Sequence, residues 1–267
     1  MTPTAILSIQ EAIDTALAAA AVAPIADTVD TVKIGDPARP LTGVVTTFLA
    51  TGAVIARAAA LGANLIITHE PTFYNHRDET GWLERDAVYQ AKCRLIEAHG
   101  IVIWRFHDYW HSTRPDGIGA GVLGRLGWQQ NDTGDWPCVC DVAPQTLDQL
   151  AALVKARLRA PAVRVAGPAD MVCRRVGLLV GAIGGEVQIG VLGRDDVDAL
   201  VCGEINEWET CEYVRDAALA GRPKGLIVAG HANSEEDGMA YLAEWLRPHL
   251  PGVLVTHVPA GDPLRSL

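Results

Sequence analysis

Histidines and carboxylates gather at three places in this chain, each time where a short apolar run ends. Asn64-Leu65-Ile66-Ile67-Thr68 runs into His69-Glu70-Pro71. Ile101-Val102-Ile103-Trp104 runs toward His107-Asp108-Tyr109-Trp110-His111. Gly225-Leu226-Ile227-Val228-Ala229 runs into Gly230-His231, with Glu235 four residues on. Imidazole mixed with carboxylate suits Zn²⁺, Mn²⁺, Fe²⁺, Ni²⁺ or Co²⁺ and does not resemble an all-oxygen calcium cage. Five or more such ligands exceed what one tetrahedral zinc needs, which points to two ions roughly 3.5–4 Å apart.

The elements that must position these side chains follow from the runs themselves. Short apolar, β-branched runs bounded by Gly or Pro read as buried strands, and open α/β sheets bind ligands outside the carboxyl ends of their strands. Consecutive side chains in a strand face opposite ways, so His69 and Glu70 can share a site only where Pro71 takes the backbone out of the pleat. His231 and Glu235 stand at helical i,i+4 spacing and converge across a strand-to-helix turn. Each feature alone has a plain explanation: a hydrogen-bonded strand-end histidine, a solvated loop carboxylate, a chance HxxxE pair. Three together, spread along the chain, favour a metal site. His76, His99, His249 and His257 read as loop or surface histidines, and Trp104, Trp110 and Trp208 as core or interface residues.

The remaining pattern alternates helix and strand. Ser8 and Glu11 form a capping box ahead of a first helix. A strand is expected over residues 41–49, helices over 52–61 and 84–99, strands over 176–180, 186–191 and 199–202, and a helix over 208–219. Ser234 and Asp237 are expected to cap a last helix running toward His249. The expected fold is α/β, with alternating layers, mixed sheets and two pseudo-lobes around a central metal cleft. Residues 1–126 would be an N-terminal lobe, 127–170 a connecting segment carrying Trp128, Trp136, Pro137 and a helix from about Thr146 to Arg159, and 171–267 a C-terminal lobe completing the site.

Composition limits the function classes. A 267-residue chain with 49% apolar and 20% charged residues has ordinary globular usage and room for a sizeable core. Its net charge of −10 counts against nucleic-acid binding, although bound dications would reverse the local sign for an acidic small molecule. There is no apolar run of membrane-spanning length, and the N-terminal stretch carries Glu11 and Asp14 where a signal peptide would be apolar. The six cysteines form no CxxC pair, as expected of free thiols in a cytoplasmic protein. No P-loop, dinucleotide-binding GxGxxG or serine nucleophile elbow is present, and Gly181-Ala182-Ile183-Gly184-Gly185 reads as a tight turn.

At the same residues the chain resembles the dinuclear-metal family called NGG-one-interacting-factor-three-like, whose members are often named GTP cyclohydrolase type 2 homologues. Leu65 to Pro71 is similar to its "liitHHP" motif. Ile34-Gly35-Asp36-Pro37 resembles its early "vGdp" loop, His107 to His111 its "HtnlD" motif, Gly203-Glu204 its late "tGe" turn, and Gly230 to Glu235 its "GHyatE" motif. Order and spacing agree over nearly the whole chain, in the compact form without an inserted domain.

The resemblance implies five metal ligands: His69, Glu70, His111, His231 and Glu235. Glu70 stands where the family has histidine and His111 where it has aspartate, so two ligands have traded types with ligand number and formal charge conserved. Asp108 stands as the alternative to His111. Trp208 falls near a place where relatives often carry histidine. Glu204 is a candidate general base or a partner of a ligand. The expected function is metal-dependent hydrolysis of a small phosphorylated or nucleotide-like substrate. The alternatives are a non-catalytic metal-handling or partner-binding protein and, against the charge, a nucleic-acid scaffold. The resemblance further implies two divalent ions and a toroidal homo-hexamer.

Overall fold

The computed structural model describes residues 7–128 and 138–265. The expected Trp136-Pro137 part of the connecting segment lies outside the described residues. The chain divides into two compact units: Met1–Ile118 with Gly238–Ala260, and Gly119–Asp237 with Gly261–Leu267.

The first unit is built from α1 (Ile9–Ala20), β1 (Val32–Ile34), β2 (Val44–Thr47), α2 (Gly52–Ala60), β3 (Leu65–Thr68), α3 (Ala87–Ala98), β4 (Val102–Arg105) and the short α4 (Asp108–Ser112). The α5 helix (Gly117–Leu126) then leads into the second unit. That unit continues with β5 (Cys138–Thr146), α6 (Leu147–Arg157), β6 (Arg164–Ala166), β7 (Val172–Leu179), α7 (Gly185–Leu192) and β8 (Ala199–Cys202). A π-helical turn (Glu207–Cys211), α8 (Glu212–Leu219) and β9 (Gly225–Val228) follow, then α9 (His231–Leu246), which returns the chain to the first unit and β10 (Val255–His257).

Each unit holds a five-stranded mixed sheet, so the α/β class with mixed sheets stands as expected. In the first, ordered β1-β4-β3-β2-β10, the strands β4, β3, β2 and β10 run parallel and β1 closes the edge antiparallel. Every residue of β2, β3 and β4 is buried, which explains why these strands read as continuous apolar runs and not as alternating ones. Val45, Ile66 and Ile103 pack with Ile55 and Val54 of α2 and Ile96 of α3. The helices start where side chains can cap them: Ser8 with Glu11 for α1, Thr51 for α2 and Asp86 for α3.

The second sheet is ordered β5-β7-β8-β9-β6, with β7, β8 and β9 parallel and the two edge strands antiparallel. Its core is built on Val139, Leu179, Leu200 and Leu226 with Leu192 of α7 and Val214 of α8. Within the segment read as a connecting lobe, 138–166 supplies both edge strands, and the helix expected from about Thr146 to Arg159 forms as α6, capped by Thr146.

Three local expectations change. Residues 186–191 form the helix α7 and not a strand. Their apolar run fits either period, and Gly184, at φ 95°, turns the chain out of extended structure just before it. The strand expected over 41–49 contracts to Val44–Thr47. Ser234 does not cap the last helix, which has already begun at His231. Among the described residues no helix is long and apolar enough to cross a membrane.

Candidate metal centre

In the first unit, the parallel strands β3 and β4 end side by side, with Thr68 opposite Arg105. His69 leaves β3 fully buried, and just past β4 His107 precedes α4 while His111 lies in its last turn. The three rings gather closely: His69 stacks on His107 with centroids 4.5 Å apart, His111 meets His69 edge-on at 4.9 Å, and His107 and His111 lie 5.0 Å apart. One nitrogen from each ring lies within 4.8 Å of the others, a spacing that could hold a metal ion.

Carboxylates orient two of these rings. Asp116 lies 2.8 Å from Nδ1 of His111, and Asp108 lies 3.0 Å from Nδ1 of His107. An imidazole whose Nδ1 donates to a carboxylate presents Nε2 as its ligand atom, the usual arrangement behind a metal-binding histidine. The other Asp108 oxygen accepts from the Thr28 hydroxyl at 2.8 Å and the Val29 amide at 3.0 Å. Burial opposes ionisation of Asp108, but the bonds from Val29, His107 and Thr28 outweigh it and hold the carboxyl below its usual range. His107 shifts downward as well, first through burial and then through His111, which favours the neutral ring that a metal requires.

Two further residues fix this turn and the one before it. Asp30 is buried and accepts from the amides of His107 at 2.7 Å, Asp108 at 3.0 Å and Tyr109 at 2.9 Å. It thereby caps α4 from almost eighty residues away, because His107, the residue in the capping position, makes no side-chain cap. Burial pushes the Asp30 carboxyl above its usual range, offset in part by these amides. Arg105, fully buried, donates through Nε to the His69 carbonyl at 2.9 Å and through Nη1 to the His76 carbonyl. Its Nη2 lies 3.6 Å from Glu70 Oε2, while Glu70 Oε1 is 3.9 Å from His107 Nε2.

The second unit contributes a smaller, more oxygen-rich group. His231 opens α9 and is held from both ends, with Glu204 Oε1 2.8 Å from Nδ1 and Glu235 Oε2 3.0 Å from Nε2. The backbone beneath is a glycine cradle. Gly181 follows β7 at φ 67°, and a Cβ there would lie 2.2 Å from Glu235 Oε1. Gly203, past β8, is as tight, because its Cβ would lie 2.4 Å from the Gly181 carbonyl oxygen. Ser234 ties the cradle to the helix by accepting from the Gly181 amide at 3.0 Å and donating to the His231 carbonyl at 2.8 Å. Gln188 donates to the Glu204 carbonyl at 2.7 Å.

The sequence-expected residues thus fall into two sets, His69, Glu70 and His111 in the first unit and His231, Glu235 and Glu204 in the second. Asp108 faces the Thr28 hydroxyl and the His107 ring, and Glu204 faces the His231 ring. His107, which the strand-end pattern offers beside Asp108 and His111 as a possible ligand, is left out of the set that the family resemblance implies. Sequence reading missed Asp116, Asp30 and Arg105. His76, read as a surface residue, places its exposed ring edge-on to His107 at 6.2 Å. Trp104 and Trp110 are buried as expected, whereas Trp208 is 75% exposed.

The profile of the Duf34/NIF3 (NGG1p interacting factor 3) family matches residues 10–260. The chain belongs to this family. A GTP cyclohydrolase 1 type 2 homolog of Clostridium perfringens is 21% identical over 81% of this chain and 82% of its own length. One of Pasteurella multocida is 30% identical over 40% and 39%. Among solved structures, a Bacillus cereus protein related to NIF3 superposes with a TM-score of 0.77 at 16% identity, covering 99% of this chain and 100% of that one. A Staphylococcus aureus hypothetical protein gives 0.76 at 19%, covering 97% and 99%. At these identities the structures establish the fold. The Duf34/NIF3 fold is therefore shared over nearly the whole chain, while its imidazole and carboxylate clusters are candidate metal-binding groups.

Proposed function

We propose that this Duf34/NIF3 protein is a metal-dependent hydrolase that uses two divalent ions, drawn from Zn²⁺, Mn²⁺, Fe²⁺, Ni²⁺ and Co²⁺, on a small phosphorylated or nucleotide-like substrate. The observation that carries this reading is the convergence of three imidazole nitrogens within 4.8 Å at the ends of β3 and β4. The ligands assigned are His69, Glu70, His111, His231 and Glu235, following the family motifs. The donor set fits such ions: neutral imidazoles backed by carboxylates, and a glutamate seated on glycines with no room for a Cβ. When bound, paired dications supply Lewis-acid polarisation of a phosphoryl or carbonyl oxygen and lower the pKa of water.

The protein's own part is positional. Asp108 and Asp116 hold imidazoles in one tautomer, Glu204 holds His231, and Arg105 and Asp30 fix the two loops that carry the first-unit ligands. Glu204 is placed to accept a proton through His231 but sits 2.8 Å from that ring, so its first role is orientation. A nucleotide-like substrate is favoured by the name carried by the two relatives, and a homo-hexamer by the family resemblance. Light scattering on the purified chain tests the hexamer.

The test of function is elemental analysis of chelator-free protein, followed by hydrolysis assays with bis-p-nitrophenyl phosphate and GTP. About two transition ions per chain, at least one of them lost in a Glu70→Ala, His231→Ala double variant, with metal-dependent turnover, is the expected result. No metal after reconstitution with Zn²⁺, Mn²⁺ and Fe²⁺ overturns the proposal. Full metal loading without turnover of any phosphoester or nucleotide reduces it to metal handling.

A further inference from the structure

The ligand set carried over from the family omits His107, yet His107 completes the tightest imidazole cluster among the described residues. We propose that His69, His107 and His111 form a three-imidazole site able to hold one borderline divalent ion by itself, with His107 as an additional ligand. The inference rests on the metal-binding reading above and deepens it by naming which side chains hold the first ion and which metals that ion can be.

Distance supports it. A zinc–imidazole bond is about 2.0–2.1 Å, which sets two rings on one tetrahedral ion roughly 5 Å apart between centroids. The observed separations are 4.5, 4.9 and 5.0 Å. Ligand atoms on such an ion stand roughly 3.3 Å apart, so the present spacing, within 4.8 Å, closes when ring rotations bring the nitrogens together by up to roughly 1.5 Å.

Orientation supports it independently. His107 and His111 each place Nδ1 on a carboxylate, Asp108 and Asp116, leaving Nε2 as the ligand atom of both. The backbone that carries the rings is clamped: His69 through Arg105 and His107 through Asp30. Glu70, the neighbouring carboxylate, lies 3.6 Å from the buried Arg105 guanidinium. A fully buried guanidinium needs a nearby counter-charge, so Arg105 draws on Glu70 and the three imidazoles suffice for the first ion without it. Three neutral nitrogen ligands select Zn²⁺, Co²⁺, Ni²⁺ or Cu²⁺ over Mg²⁺, Ca²⁺ and Mn²⁺.

The experiment titrates Co²⁺ into the full, chelator-stripped chain and follows its d–d absorption and the metal bound per chain. In a His231→Ala, Glu235→Ala background, one Co²⁺ per chain with an intense, low-symmetry visible band is expected to remain. Adding His107→Gln should weaken that ion at least 100-fold and shift the band, whereas His76→Gln should change neither. Asp108→Asn keeps the ring but loses its carboxylate, and should weaken the ion about 10-fold; it serves as the second probe if His107→Gln does not fold by circular dichroism. Unchanged Co²⁺ affinity and spectrum in His107→Gln overturn the assignment of His107. A His231→Ala, Glu235→Ala chain that binds no Co²⁺ while the parent binds two overturns the self-sufficient site but leaves the dinuclear reading standing. A parent chain that binds no metal removes both.

Discussion

The two units solve one problem with different chemistry. Both end buried parallel strands on ligand-type side chains, β3 and β4 in the first and β8 and β9 in the second. The first unit surrounds three imidazoles with side-chain clamps: Asp30, Asp108, Asp116 and Arg105. The second seats a single imidazole between two glutamates and fixes it with backbone, where Gly181 and Gly203 allow a closeness that any side chain would prevent. One group is nitrogen-rich and held by charge, the other is oxygen-rich and held by sterics. Damage should therefore travel by different routes: loss of buried hydrogen bonds in the first unit, overlap and backbone strain in the second.

The largest effect is expected at the charge clamp. Asp30→Ala leaves three amides at the start of α4 without their acceptor, and each unsatisfied buried group costs about 1–3 kcal/mol before water intrudes. Urea unfolding should show a loss of about 3–4 kcal/mol, together with weaker Co²⁺ binding; a loss under about 1 kcal/mol would remove Asp30 from the clamp.

Next comes the steric cradle. Gly181→Ala adds a Cβ 2.2 Å from the Glu235 carboxylate at a backbone φ of 67°. Left-handed strain and overpacking together cost about 2–3 kcal/mol. Asp30 and Gly181 belong to different units, so if the two groups are built independently Asp30→Ala and Gly181→Ala should add within about 0.5 kcal/mol in the double variant. Marked non-additivity would show that the two groups are not independently built.

A pH test separates the units further. Burial pushes the Lys92 ammonium, bonded to the Thr72 carbonyl beneath the His69-Glu70 loop, down to about 8. In the unfolded chain the same group titrates near about 10.4. Between these values the unfolded chain binds more protons, so Lys92 makes stability rise with pH from about 8 to about 10.4, and its burial penalty acts in full below that window. Lys92→Met should flatten this rise in urea midpoints taken at neutral and alkaline pH. An unchanged slope would show that the amine is solvated.

The smallest effect is expected at Trp208, 75% exposed on the π-helical turn. Trp208→Ala should change stability by less than about 0.5 kcal/mol. A larger loss would show that the ring packs against a partner, such as a second copy of the chain.

Much of the fold was legible because its central strands are buried on both faces, and such strands announce themselves as apolar runs of four or five residues. The strand ends carrying His69, His107 and His231 were visible for the same reason. Residues 186–191 misled because a short apolar run has no distinguishable period, and only Gly184 and the packing of Leu192 make it helical. Ser234 misled because a serine ahead of an acidic residue looks the same whether it caps a helix or reaches from within one to a neighbouring glycine amide.

The sequence by itself determined the inventory: which segments are buried strands, which ligand types stand at their ends, and, through five motifs in order, the family. Those are properties of composition and local spacing. Tertiary structure alone decided the partnerships. Asp30 meets the α4 amides across nearly eighty residues, and Arg105 reaches back to His69, Glu70 and His76. Gly181 leaves room for Glu235, fifty-four residues on. Those pairings depend on which strands lie side by side, and parallel pairing joins segments whose separation along the chain carries no local signal.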